Sequence, residues 1–167
     1  MDIQFITEAA VASDAAVAVL AFENKPLSAA ARRFDESFSG ALSRAFNARF
    51  KGQKETHAVV SAGRTVLIIG AGDIERAPLA IEEIAAYAYR AADAIGVETL
   101  VLHLPDTGAE AAARAAFGAR LGAYRFHRHK NFPRPAEQPA LHTLQIVAAH
   151  PELARVAYAK HSAIADG

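Results

Sequence analysis

The sequence predicts an α/β domain in three layers, a mixed β-sheet with helices on both faces. Three observations carry this. Apolar runs of strand length alternate with stretches of helical periodicity along the 167 residues. Two of those runs, Ala15–Phe22 (AAVAVLAF) and VLIIG at 66–70, are apolar almost throughout, which suits strands buried on both faces. Glu55–Ser61 and Arg64–Gly70 are joined at Ala62-Gly63, a hairpin that forces an antiparallel pair into the sheet.

The elements follow in order. Ile3–Ile6 is a short strand, and Asn24–Pro26 ends the second one. Ser28 can cap a helix predicted to run to about Phe46, with Phe34, Phe38, Leu42 and Phe46 recurring every four residues as one aromatic-rich stripe. After the hairpin, Pro78 opens a helix whose buried face is Ile81, Ile84, Ala85, Ala88, Ala91, Ala92 and Ile95, and Gly96 ends it. Thr99–Leu104 is a strand closed by Pro105. Thr107 starts an Ala-rich helix to about Leu121, Asn131–Pro139 is a Pro-rich loop, and Leu141–Ala148 is the last strand. Pro151 opens a final helix with Leu153, Val156 and Ala157 on one face.

Composition excludes several classes. Lys+Arg and Asp+Glu are both 18, so no net charge steers the chain to nucleic acid or an anionic membrane. The absence of cysteine excludes disulfides, thiol catalysis and thiolate metal sites. The N-terminus lacks a basic region before an apolar core, and no apolar run reaches the length of a membrane span. A cytoplasmic domain is expected.

Candidate chemistry is sparse. Gly70-Ala71-Gly72 sits between strand and helix, but Glu75 occupies the place where a dinucleotide fingerprint needs Gly or Ala, so a turn is expected instead. His127 and His129 could share one side of an extended segment. Arg128 lies between them, and no spacing indicates further ligands among His103, Asp106 and Glu110. Arg125, Arg128, Lys130 and Arg134 interleave with Tyr124, Phe126 and Phe132, a patch that reads first as a protein interface and second as a nucleic-acid contact. Glu82 and Glu83 are placed by the favourable end of a helix dipole. No Gly-x-Ser-x-Gly elbow or acid/base pair of carboxylates stands out.

One segment says more. Phe117–Lys130 reads FGARLGAYRFHRHK, with Gly118 and Gly122 on one helical face where another element can approach closely. Gly118, Ala119, Leu121, Tyr124, Arg125, Phe126 and Lys130 make it resemble a segment of the leucyl aminopeptidase (cytosol aminopeptidase) family, near the end of the non-catalytic N-terminal domain. His127 and His129 depart from the Asp and Tyr often found there.

The resemblance implies a macro-domain-like fold over residues 1–150 and a connector helix over 151–167 that leads towards a catalytic domain. It implies a parent hydrolase that removes N-terminal residues from peptides, Leu favoured, with two divalent metals, zinc or manganese, held by Asp, Glu and Lys of that catalytic domain. The family's Asn-Thr-Asp-Ala-Glu-Gly-Arg-Leu signature occurs nowhere here, so no catalytic, cofactor or metal residue is assigned to this chain. A hexameric parent is implied. Tyr124, Arg125, Phe126 and Lys130 are the expected contacts to the connector or catalytic domain. The alternative is a stand-alone module binding ADP-ribose-like nucleotides or DNA. Against the nucleotide, Asn24, Asn47 and Asn131 lie far apart and there is no Gly triplet, whereas macro domains that bind ADP-ribose use an Asn-rich and a Gly-rich loop.

Overall fold

The computed structural model describes residues 1–48, 50–61, 63–73, 75, 77–124 and 139–165. Among them, β1 (Asp2–Ile6), β2 (Ala16–Phe22), β3 (His57–Ser61), β4 (Thr65–Gly72), β5 (Thr99–His103) and β6 (Thr143–Val147) form one sheet in the spatial order β1-β6-β5-β2-β4-β3. The β3–β4 hairpin is antiparallel and the other pairings are parallel, so the sheet is mixed. A 3-10 turn at Glu8–Ala10 follows β1. The helices are α1 (Ala29–Glu36), α2 (Ala41–Ala48), α3 (Ala77–Ala94), α4 (Ala109–Ala123) and α5 (Pro151–Ala165).

The apolar runs are explained by the layers. Successive side chains of a strand point to opposite faces. Val17, Val19, Ala21, Val66 and Ile68 enter the core shared with α1 and α2. Ala18, Leu67, Ile69, Leu100 and Leu102 enter the core under α3, α4 and α5. A central strand covered on both sides has no polar face to spare.

The two helical layers are built differently. On the α3 side, Gly118 lies so close to α3 that a Cβ there would run into the backbone of Glu82. One turn on, a Cβ at Gly122 would sit 2.8 Å from the Cα of Ala86. The glycines predicted to admit a close neighbour do so, and Ala112, Ala115, Ala116 and Ala119 complete the contact surface. Glu82 also binds Arg114 across the two helices at 2.7 Å. Glu82 lies beyond the first turn of α3, so this tie, and the pairing of Glu83 with Lys54, position these carboxylates rather than the helix dipole.

On the other side, the expected single helix to Phe46 is two. Ser28 caps the first, its Oγ accepting the Ala31 N–H at 3.1 Å. The chain then turns through Ser39 and Gly40, at φ 52° and 75°, a conformation glycine adopts without steric cost. Buried Asp35 caps the second helix from seven residues away. Its Oδ1 accepts the Leu42 N–H at 2.7 Å, and its Oδ2 accepts the Ser43 N–H and hydroxyl at 3.1 and 2.5 Å. A carboxylate at a helix N-terminus satisfies orphan donors and complements the dipole. Phe34, Phe38, Leu42 and Phe46 still share one core.

One position expected on a buried face is exposed. Ile95 falls just past the end of α3 and is 44% exposed. On α5, Leu153 and Val156 are 60% and 62% exposed, while Ala154 is fully buried. The helix seats through its small residue, with Tyr158 packed on Phe5 at 5.7 Å between ring centroids.

Candidate functional site

In open α/β sheets ligands bind beyond the carboxyl ends of strands where the strand order reverses. Here that place lies between β2 and β5, because the chain leaves β2 towards β3 and β4 and leaves β5 towards β6. A crevice of about 110 Å3 occupies it, lined by Leu20, Phe22, Ser28, His103, Asp106 and Thr107 among others. Ligand pockets usually span about 300–1,000 Å3, so this one is small for a nucleotide.

Three polar groups of the crevice serve the fold. Ser28 caps α1, and the Thr107 hydroxyl donates to the Leu104 carbonyl at 2.8 Å, closing the turn after β5. His103 is buried, its ring 5.1 Å from that of Phe34 and its Nε2 3.1 Å from Glu8 Oε1. Burial pushes its pKa below the ordinary 6.5, and the hydrogen bond to Glu8 opposes that shift without cancelling it. The imidazole is therefore neutral at pH 7, and the contact is a hydrogen bond to a carboxylate rather than an ion pair.

Gly70-Ala71-Gly72 is not the turn expected from sequence. It is the end of β4, where the register against β2 shifts: Ala21 faces Gly70 and Phe22 faces Gly72. Ala71 is the extra residue of a bulge. The loop before β3 crosses over this point, with Gly70 N–H donating to Thr56 O at 2.8 Å and Gly72 N–H to Gly52 O at 2.9 Å. A Cβ on Gly70 would collide with the Gln53 carbonyl. The glycines admit a polypeptide strand, not a pyrophosphate.

Of the four expected contact residues, Arg125, Phe126 and Lys130 lie outside the described residues, as do His127, His129 and the rest of the basic-aromatic patch apart from Tyr124. Tyr124 ends α4 and is 76% exposed. It lines an open cleft of about 430 Å3 with Met1, Ile3, Arg120, Ala123 and Tyr158, so α4, β1 and α5 meet there. Sequence reasoning missed Tyr158, though an aromatic between alanines on a terminal helix was a visible signal. Among the described residues no three His, Asp or Glu side chains are grouped to hold a metal ion. His103 is bound to Glu8, and Glu110 is bound to His161 at 2.8 Å.

Comparison with known proteins identifies the architecture. The model of the cytosol aminopeptidase family, N-terminal domain, matches residues 18–132. The chain belongs to the cytosol aminopeptidase family. A probable cytosol aminopeptidase of Caulobacter vibrioides is 42% identical over 176 aligned positions, covering 99% of this chain. This chain spans only 35% of that relative. A mutant of tomato leucine aminopeptidase superposes with a TM-score of 0.78 at 18% identity, over 99% of this chain and 36% of that one. The bottromycin maturation enzyme BotP superposes at 0.59 and 22% identity, over 92% of this chain and 30% of its own. Both show the fold. The chain is thus an N-terminal, non-catalytic part of a larger protein of that family. Among the described residues no helix is long and apolar enough to cross a membrane.

Proposed function

We propose that this chain is the assembly and access domain of a cytoplasmic aminopeptidase that removes N-terminal residues, Leu favoured, from peptides. The match to an N-terminal family domain, spanning about a third of a curated relative, carries the reading. The parent's chemistry is metal-assisted hydrolysis with two divalent ions, zinc or manganese, which polarise the carbonyl and supply an activated water when bound. The residues described here do not fit such a centre, so the ions and their Asp, Glu and Lys ligands are assigned to the downstream domain. Residues 1–150 form the domain, and 151–167 act as the connector. Tyr124, Arg125, Phe126 and Lys130 contact the connector or the catalytic domain and support a hexameric parent. The shared cleft of Tyr124 and Tyr158 supports this, since it brings one member of the set against α5.

Two experiments test the reading. Purified 1–167 with manganese should not hydrolyse Leu-p-nitroanilide, while the full-length parent should; robust turnover by 1–167 would refute the division of labour. Arg125→Ala in the full-length protein should weaken stability or assembly, and an unchanged hexamer would remove Arg125 from the contact set.

A further inference from the structure

α5 carries two apolar seams, and the domain covers one of them. The inner seam is Ala154, Ala157, Tyr158 and His161, buried or half-buried against α4 and β1. The outer seam is Leu153, Val156, Lys160 and Ala163, all exposed. They follow at spacings of three, four and three residues, the rhythm that aligns side chains along one side of a helix. Lys160 fits such a seam through its aliphatic stem. Scattered exposed apolar residues need no account, but an aligned Leu-Val-Ala seam does, because helices apolar on two sides are covered on two sides.

The occupant follows from what lies beyond. The curated relative is nearly three times as long as the stretch this chain matches, and the matching family model is that of an N-terminal domain. The rest of such a polypeptide comes after α5, the last element here. We propose that the outer seam of α5 is the docking surface for the downstream, catalytic part of the same polypeptide. α5 is then clamped from both sides, and the two domains are coupled through side chains as well as through the chain. The inference rests on the reading of this chain as part of a longer aminopeptidase.

The test places Leu153→Asp with Val156→Asp in 1–167 and in the full-length parent. In 1–167 the melting temperature should stay unchanged, because both side chains already face water. In the parent, one cooperative melt should split into two, and protease cleavage just after α5 should become about tenfold faster or more, as expected for loss of two apolar contacts. A parent variant that melts and resists cleavage like wild type overturns the proposal. So does equal destabilisation of 1–167, which would give the seam to the domain's own fold. Loss of subunit assembly with the junction still protected would give the seam to a second copy and likewise overturn it. Failure of the parent reading shows separately, in a wild-type full-length protein without aminopeptidase activity, and takes the proposal with it.

Discussion

The helices on the two faces of the sheet are held by opposite means. Between α3 and α4 the contact is made by backbone and small side chains, with Gly118 and Gly122 letting one helix sink onto the other. Against α1 and α2 it is made by bulk: Phe34, Phe38, Leu42, Phe46 and Phe50 fill the space, with Arg64 5.2 and 5.3 Å from the rings of Phe34 and Phe38. The first layer cannot accept an added atom, and the second cannot lose one. Tolerance to substitution should therefore invert from one face to the other.

The sharpest way to break that contrast is truncation on the bulky side. Leu42→Ala, at a fully buried position, should cost about 3–4 kcal/mol of unfolding free energy, measured by urea denaturation. On the glycine side, enlargement is the matching test. Gly118→Ala should cost about 2–3 kcal/mol even though alanine favours a helix, because the obstacle is the Glu82 backbone. Gly122→Ala should cost less, since its nearest neighbours stand further off. If both substitutions stabilised the domain in the same assay, the close approach of α3 and α4 would be wrong.

Smaller effects concern the polar groups of the bulky layer. Asp35→Ala removes the acceptor of three hydrogen bonds at the start of α2 and should cost about 2 kcal/mol, with the loss seen as faster amide exchange in α2. His103 supplies a pH dependence. Well above 6.5 the imidazole is neutral both folded and unfolded. Around and below 6.5 the unfolded chain takes up a proton that the buried ring resists, so stability drops as the pH is lowered until the depressed folded pKa is passed. The slope from this residue is at most about 1.4 kcal/mol per pH unit. His103→Gln should flatten the melting temperature between pH 6.5 and the acid range; an unchanged profile would show that His103 is not the group responsible.

Much of this was legible in the sequence because strands buried on both sides announce themselves. AAVAVLAF and VLIIG admit few other readings, and the hairpin at Gly63 fixes the antiparallel edge. The α1–α2 break was hidden by a spacing that runs through it: Phe34, Phe38, Leu42 and Phe46 keep a four-residue period although the chain turns between the second and the third. Ser39-Gly40 held the signal, but the capping carboxylate acts at a separation no local pattern displays. On α5 the spacing grouped apolar residues on one face, but did not say which face the domain covers. Leu153 and Val156 outrank Ala154 in hydrophobicity, yet a tight seat selects for size. The candidate site was legible only in outline. The motif at Phe117–Lys130 pointed to the family, but the cleft joining Tyr124 to Met1, Ile3 and Tyr158 depends on elements from both ends of the chain.

That last dependence has a consequence in time. β1 pairs in parallel with β6, Asp2 opposite Thr143 and Ile6 opposite Val147. During synthesis β1 must therefore wait for β6, holding Phe5 without its partner while nearly the whole domain is made. Chains arrested before Thr143 should show a protease-sensitive N-terminus, and those arrested after α5 a protected one. In a longer polypeptide, the sheet would close just as the next domain began to emerge.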